Sequence, residues 1–320
     1  MRLIVFGTSE FAVPTLERLA ERHDVAGVVT QPDRPAGRGH KLVATPVKRA
    51  AEARGVRVFT PEKLRPFTDE ARALGADAFV VASYGKIVPQ MLLDAVPIAF
   101  NVHPSLLPLY RGATPLQSAI RDGRRETGVT IIAMDAGMDT GDVLLQERTP
   151  IGPEETYGEL HDRLAQGGAE LAAEAVDAYA NGTLQRKPQS EVARELGVTD
   201  EEIARTLTRP LRKEDLVIDW ALPRARVIDL VRSLVPQPLA RTNFPQDETL
   251  KIIAVRPIDG SLPPVPGPYV GIDPPNFQAQ CGDGKIVEIE RLIAPNRGPM
   301  TGEAFAMRYT ERLARKLGLE

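Results

Sequence analysis

The sequence has few of the residues that would point to several classes of protein. Its 320 residues include one cysteine, Cys281, so an internal disulfide and a zinc site built from several cysteines are both excluded. Aromatic residues make up 5% of the chain, which argues against an extended surface for stacking bases. No apolar run approaches the roughly 18 residues of a membrane-spanning helix, and the first residues lack the apolar segment of a signal peptide. We therefore expect a cytoplasmic protein with no membrane partner.

Charge of one sign is not in excess either. The net charge is −3, with 42% hydrophobic and 26% charged residues, an ordinary globular composition with room for one large and one smaller domain. A slight excess of basic over acidic residues from Arg205 onward fits a polyanionic partner, but excesses of this size also arise by chance.

Two signatures of well-known chemistry are incomplete. Residues 2–29 alternate strand, helix and strand, which predicts the start of an α/β fold with a doubly wound, mostly parallel sheet. Gly7 follows the first strand, but Ser9 stands where the second glycine of a dinucleotide fingerprint belongs, so no nicotinamide cofactor is expected. Ser105 lacks the flanking glycines of a nucleophile elbow, which argues against acyl-enzyme chemistry.

Polar residues follow two apolar runs that predict buried strands. Asn101 and His103 follow the apolar residues 98–100, and proline then ends regular structure. Residues two apart on extended backbone point to the same side, so an amide that can donate to an oxyanion lies beside an imidazole that can move a proton. A second strand-like run, residues 128–133, precedes a loop that carries Asp135, Asp139 and Asp142, one of which could orient the imidazole and raise its pKa. A lone histidine at a strand end is more often structural, and only the second loop favours the catalytic interpretation.

These two segments resemble the formyltransferases that use 10-formyltetrahydrofolate. The resemblance rests on the Asn-x-His-Pro-Ser-Leu-Leu-Pro run at 101–108, followed by an Arg-Gly pair, and on the Asp-x-Gly-x-Asp-Thr-Gly run at 135–141. It implies catalytic roles for Asn101 as oxyanion donor, His103 as proton carrier and Asp139 as the group that holds the imidazole. It also implies 10-formyltetrahydrofolate as formyl donor, with no metal required.

The same resemblance implies a folate pocket between two loops. One loop follows the strand predicted over residues 78–82, and the other follows His103. The implied folate-binding residues are Tyr84, Gly85, Ile87, Ser105, Leu106, Leu107 and Pro108.

A long loop at residues 30–42 carries Arg34, Arg38 and Lys41 against one acidic residue, Asp33. By composition alone, a solvated loop and a loop that binds phosphates are equally good interpretations. Its Gln-Pro-Asp-Arg-Pro-x-Gly-Arg-Gly run resembles the methionyl-tRNA formyltransferases within the family, in which this insertion contacts the tRNA acceptor end. The resemblance therefore implies methionyl initiator tRNA as partner, bound through these three cations, and formylation of its α-amine for translation initiation.

The chain is expected to divide into a formyltransferase domain (1–188), a linker (189–204) and a C-terminal OB-like β-barrel domain that binds tRNA (205–320). The last part is predicted from short strands separated by proline and glycine, and we expect a monomer. A helix is predicted to begin with Thr60 as N-cap and Pro61 in its first turn. Two rival functions stay open: a formyltransferase for an amino-sugar nucleotide, which should lack the 30–42 loop, and a non-catalytic RNA-binding protein on the same scaffold.

Overall fold

The computed structural model describes residues 1–36, 41–244, 248–259, 269–273 and 275–317, with the backbone alone at 36, 41, 269, 273 and 311–317. Within these ranges the chain packs into two compact units. The first comprises Met1–Pro115, Glu126–Pro150 and His161–Arg209, and the second Leu116–Arg125, Ile151–Leu160 and the chain from Pro210 onward. The domain boundaries expected from the sequence stay a prediction about which segment carries which activity.

The first unit contains a mostly parallel sheet with helices. Its strands are β1 (Arg2–Gly7), β2 (Asp24–Val29), β3 (Arg34–Ala36), β4 (Lys41–Val43), β5 (Val58–Phe59), β6 (Ala78–Ala82), β7 (Ile98–His103), β8 (Glu126–Ala133) and β9 (Val143–Pro150). The main sheet has the order β5-β2-β1-β6-β7-β8-β9, while β3 and β4 form a separate two-stranded antiparallel sheet. Pairing is parallel from β5 to β7 and antiparallel from β7 to β9. The predicted doubly wound α/β fold is confirmed.

The helices of the described chain are α1 (Val13–Arg22), α2 (Pro46–Ala53), α3 (Leu64–Ala73), α4 (Gln90–Leu93), α5 (Pro115–Arg121), α6 (Tyr157–Ala180), α7 (Gln189–Leu196), α8 (Asp200–Arg205), α9 (Arg224–Ser233) and α10 (Gly302–Leu317). The apolar runs at β1, β6 and β7 are the central strands because helices cover both faces of a parallel sheet. The core beside them contains Phe6, Phe79 and Tyr84, whose rings meet edge to face. Among the described residues, none of the helices is long and apolar enough to cross a membrane.

The start of α3 differs from the prediction. The helix begins at Leu64 after Lys63, so Thr60 is not its N-cap and Pro61 is not in its first turn. The Lys86 ammonium donates to the carbonyl oxygens of Pro61 and Glu62, at 3.2 and 3.1 Å. This tertiary contact engages backbone groups that a helix starting at Pro61 would use itself, and it could not be seen in the local sequence.

The second unit is built on an antiparallel sheet of the OB-like kind, as predicted. Its strands are β10 (Ala240–Asn243), β11 (Thr249–Ile258), β12 (Tyr269–Asp273), β13 (Asn276–Gln280), β14 (Ile286–Ile293) and β15 (Pro299–Thr301). Their order is β10-β11-β14-β13-β12, and β15 pairs with β14. Its core includes Val227 of α9, Phe277 of β13 and Phe305 of α10.

Candidate active site

Strand β7 places Asn101 and His103 on one face at the end of the sheet. Between them, Val102 points to the opposite face, where a Cβ on Gly168 of α6 would lie 2.9 Å from its Cγ1. The glycine in α6 therefore permits close packing behind the strand. Since α6 covers one face, the amide and the imidazole point away from it.

Hydrogen bonds close the loop between β8 and β9 and attach its start to β7. At its start the Met134 amide donates to the carbonyl of Ala99 (2.8 Å), and the Ala133 amide donates to that of Asp142 (2.9 Å). Inside the loop the Asp135 carboxylate accepts from the Thr140 hydroxyl (2.8 Å). Asp139 adopts a left-handed backbone conformation with φ of 56°, which turns its side chain toward the strand.

The structure brings the three predicted catalytic side chains together. Asn101 Nδ2 donates to Asp139 Oδ1 over 3.1 Å, and His103 Nδ1 lies 3.6 Å from Asp139 Oδ2. The His103 side chain is 5% exposed and that of Asp139 is 16% exposed. The small exposure reduces solvent screening, which strengthens the interaction between the two groups.

The contacts of His103 indicate which ring nitrogen carries the hydrogen of the neutral imidazole. Nε2 lies 2.9 Å from the backbone carbonyl of Tyr110. A carbonyl oxygen only accepts, so Nε2 carries a hydrogen and donates it. In the neutral ring, Nδ1, the atom that faces Asp139, is therefore the nitrogen without a hydrogen.

The segment after the strand supplies a further donor to the carboxylate. The Gly112 amide donates to Asp139 Oδ2 over 2.9 Å. Gly112 has φ of 108°, and a Cβ there would lie 2.2 Å from the carbonyl oxygen of Thr208, so only glycine fits. Thr208 also donates its amide to the carbonyl of Arg111 over 2.8 Å. Burial lowers the pKa of the Arg111 guanidinium, while the nearby charge of Asp139 raises it.

The predicted folate residues Ser105 to Pro108 form a tightly held loop. The Ser105 hydroxyl donates to the carbonyl of Leu109 over 2.7 Å. Leu106 is buried, and Leu107 is fully buried in a cluster with Ile132. Pro108 is buried and follows a cis peptide bond. Ser105 and Leu107 thus shape the loop from within, and direct folate contact by their side chains stays a prediction.

The other predicted folate residues differ strongly in exposure. Tyr84 is 2% exposed, and burial raises the pKa of its phenol to about 12. Gly85 has φ of 77°, and a Cβ there would lie 2.7 Å from the side-chain nitrogen Nε2 of Gln31. Ile87 is 90% exposed and is available to an apolar ligand.

The predicted tRNA-binding cations are only partly described. Arg34 begins β3, is exposed, and donates from Nη2 to Gln31 Oε1 over 2.8 Å. Lys41 begins β4, but its side chain lies outside the description, as does the whole of Arg38. Across the described ranges, groups of three or more potential metal-ligating side chains do not occur.

Several residues that hold the site were missed in the sequence. The Thr130 hydroxyl donates to the carbonyl of Ser105 (2.6 Å) and accepts from the Leu107 amide (3.2 Å) and the Gln146 amide (2.8 Å). Gln189 and Thr208 hold the second loop and the Arg111 segment. For Thr130 the available signal was a polar residue at a buried strand position, which is informative only when the partner of that strand is known.

Comparison with known proteins gives the family. The model of the formyl transferase family matches residues 1–176, and the model of its C-terminal domain matches residues 210–310. The chain belongs to the formyl transferase family. The methionyl-tRNA formyltransferase of Citrifermentans bemidjiense is 42% identical over 96% of this chain and 93% of its own. That of Solibacter usitatus is 41% identical over 99% of each chain.

Among solved structures, formyl transferases of other kinds share the fold. The N-formyltransferase of Helicobacter canadensis, crystallised with folinic acid and dTDP-3-aminofucose, superposes with a TM-score of 0.66 at 19% identity, over 90% of this chain and 98% of its own. This likeness concerns the fold alone.

Proposed function

We propose that this formyl transferase moves the formyl group of 10-formyltetrahydrofolate to the α-amine of methionyl initiator tRNA, in the cytoplasm, as a monomer. The observation that carries the proposal is the Asp139 carboxylate, which faces both Asn101 Nδ2 and His103 Nδ1 at the end of β7. The choice of tRNA as acceptor is supported by relatives that are named methionyl-tRNA formyltransferase and align with this chain over nearly their whole length.

Asn101 is the proposed donor to the oxyanion. The substrate amine attacks the formyl carbon, a tetrahedral oxyanion forms, and the intermediate collapses as folate N10 leaves with a proton. In the described part of the chain, one amide hydrogen of Asn101 is engaged by Asp139. The other is the proposed contact to the oxyanion, and one such donor typically contributes about 3–4 kcal/mol.

His103 and Asp139 are the proposed proton-transfer pair. Because Nε2 is held by the Tyr110 carbonyl, Nδ1 is the atom that exchanges a proton on the side of Asp139. The carboxylate stabilises the protonated ring and can relay a proton through a water molecule. General acid–base help of this kind is worth about 10²–10⁴ in rate.

The remaining sites follow the same proposal. The folate pocket is assigned to Tyr84, Gly85 and Ile87 with the Ser105–Pro108 loop, and tRNA contact to Arg34, Arg38 and Lys41. Catalysis is assigned to residues 1–188, with 189–204 as connection and 205–320 as a second tRNA-binding domain. Neither metal nor prosthetic group enters the proposed reaction.

The decisive experiment compares acceptors. Formyl transfer is measured with 10-formyltetrahydrofolate and one of three amines: charged initiator tRNA, free methionine, or an amino-sugar nucleotide. We expect efficient transfer to the charged tRNA only. Comparable efficiency with the sugar nucleotide would favour the rival formyltransferase, and tRNA binding without any transfer would favour the non-catalytic protein.

A further inference from the structure

The side chain of Gln189, the first residue of α7, uses its whole hydrogen-bonding capacity beside the catalytic loop. It is 6% exposed. Its Nε2 donates to the carbonyl oxygens of Asp139 and Gly141, each over 2.8 Å. Its Oε1 accepts from Arg111, over 3.0 Å from Nε and 2.7 Å from Nη2. An amide offers two donors and one accepting oxygen, so no other neutral side chain of this size makes this set of contacts.

The backbone fixes where this amide can reach. Lys187 and Val143 exchange both backbone hydrogen bonds, at 2.8 and 2.9 Å, in an antiparallel bridge. Two residues after this bridge the chain reaches Gln189, whose side chain contacts Gly141, two residues before Val143. Val192, one turn further along α7, packs in the same buried cluster as Leu107. The helix is therefore anchored on the loops of the site and does not merely pass them.

The loop between β8 and β9, which Gln189 contacts, contains an unfavourable backbone conformation. Asp139 is a non-glycine residue with φ of 56°, a conformation that costs free energy and persists only when the surroundings enforce it. The Gln189 amide binds the Asp139 carbonyl directly, and it binds the carbonyl of Gly141 further along the loop. These two hydrogen bonds fix the backbone from which the Asp139 carboxylate extends toward His103.

The oxygen of the Gln189 amide binds the guanidinium of Arg111 without neutralising its positive charge. An arginine side chain stays protonated in proteins. Arg111 therefore carries a positive charge, which interacts with the charge of Asp139. A carboxylate at position 189 would neutralise this guanidinium and would leave two backbone carbonyls without donors. A neutral amide does neither.

We infer that Gln189 is a positioning residue for formyl transfer that acts through Asp139, with Arg111 held beside it. This inference rests on the proposed function and deepens it, because it assigns part of the expected linker to the catalytic machinery. Gln189 itself lies behind the loop and is not proposed to touch either substrate.

The test uses two variants of the full-length protein, Gln189→Met and Gln189→Glu. Methionine keeps the volume and removes every hydrogen bond, while glutamate keeps the acceptor toward Arg111 and loses both donors. We expect each to lower kcat by about 10–100-fold, because small displacements of a reacting group are costly, with KM for the folate donor nearly unchanged. Gln90→Ala, at an exposed glutamine of α4 bonded to Asp94, is the control and should retain full kcat.

A double-mutant cycle separates positioning from general stability. In an Asp139→Asn background, Gln189→Met should change kcat by less than about threefold, because the group it positions has already lost its function. Equal factors in both backgrounds, or an unchanged kcat in Gln189→Met alone, would overturn the inference. A wild-type chain that transfers no formyl group to charged initiator tRNA would instead refute the proposed function, and this inference with it.

Discussion

At the scale of single residues, the carboxylate of Asp139 is the group on which the polar contacts of the site meet. It accepts from the side chain of Asn101 and from the backbone of Gly112, and it faces His103. A carboxylate with several donors is held in one orientation, so its position relative to the imidazole is set before substrate arrives. This prearrangement is the physical basis of the proposed chemistry.

Asp139→Asn should therefore lower kcat by about 10²–10⁴ while the protein stays folded. Asparagine keeps the shape of the side chain but removes the negative charge that faces His103 Nδ1. Initial rates at saturating donor and charged initiator tRNA measure the effect. Asp69→Asn, at a carboxylate that is 94% exposed on α3, is the control and should retain the wild-type rate. Full activity of Asp139→Asn would remove the carboxylate from the mechanism.

At the scale of elements, strand β8 supports the loop that follows β7. Thr130 of β8 is opposite His103 in the antiparallel register, and its hydroxyl is fully buried. That hydroxyl makes three hydrogen bonds, two of them to backbone groups of the Ser105–Pro108 loop. The geometry of the loop is thus set by a neighbouring strand as well as by its own prolines.

Thr130→Val should reduce the free energy of unfolding by about 1–3 kcal/mol, because it leaves buried backbone groups without a partner. Urea unfolding monitored by circular dichroism gives the value. The matched control is Thr15→Val in α1, where the buried hydroxyl has no hydrogen-bond partner within the described residues. That change should be neutral or stabilising, and similar losses at both positions would contradict the assignment.

The junction of α1 and α6 predicts a dependence of stability on pH. His23 follows α1, and burial, the largest cause, lowers the pKa of its imidazole, with further lowering by the N-terminal charge and by Arg22. The charge of Asp177, 3.4 Å away, opposes this shift. The unfolded state thus binds more protons, so this contribution is complete above the ordinary pKa of about 6.5 and is lost as the pH falls below it.

His23→Leu should therefore make the unfolding free energy depend less on pH between about pH 5 and 7. Urea midpoints of wild type and variant at several pH values in that window provide the comparison. His161→Gln, at another histidine of the same unit, serves as the control and should leave most of the slope in place. A slope that His23→Leu leaves unchanged would show that other groups dominate.

At the scale of the whole molecule, the two units carry separate cores. The first is built around the parallel sheet, and the second around its antiparallel sheet with α9 and α10. All residues of the proposed catalytic site belong to the first unit, including the Gln189 to Thr208 segment. Arg34, a proposed tRNA contact, also belongs to the first unit, but it lies in the separate β3–β4 sheet, so we expect tRNA binding and catalysis to be separable by mutation.

Arg34→Gln should weaken the binding of initiator tRNA and make it less salt-dependent, because each lost phosphate contact removes about one unit from the slope of log K against log salt. Binding of a folate analogue should not change. Arg72→Gln, at an exposed arginine of α3 paired with Asp69, is the control and should leave the slope as it is. Equal loss of tRNA and folate binding in Arg34→Gln would indicate that the β3–β4 sheet only supports the fold.

The sequence by itself determined the strands, the polar residues at their ends and the family resemblance. Buried strands such as β6 and β7 are continuous apolar runs, and Asn101 and His103 share a face because the side-chain period of a strand is two. These are local properties, so no knowledge of the rest of the chain was needed.

Only the tertiary structure decided what holds those residues. Gln189 lies 50 residues from Asp139 in the chain. Lys86 lies 25 residues from Pro61, and its hydrogen bond to the Pro61 carbonyl accompanies the later start of α3. A buried hydrogen bond between such distant residues has no local pattern, because it depends on a register such as that of Lys187 with Val143. Local composition predicted a linker at residues 189–204. In the structure the first of these residues, Gln189, contacts the Asp139 loop of the candidate site.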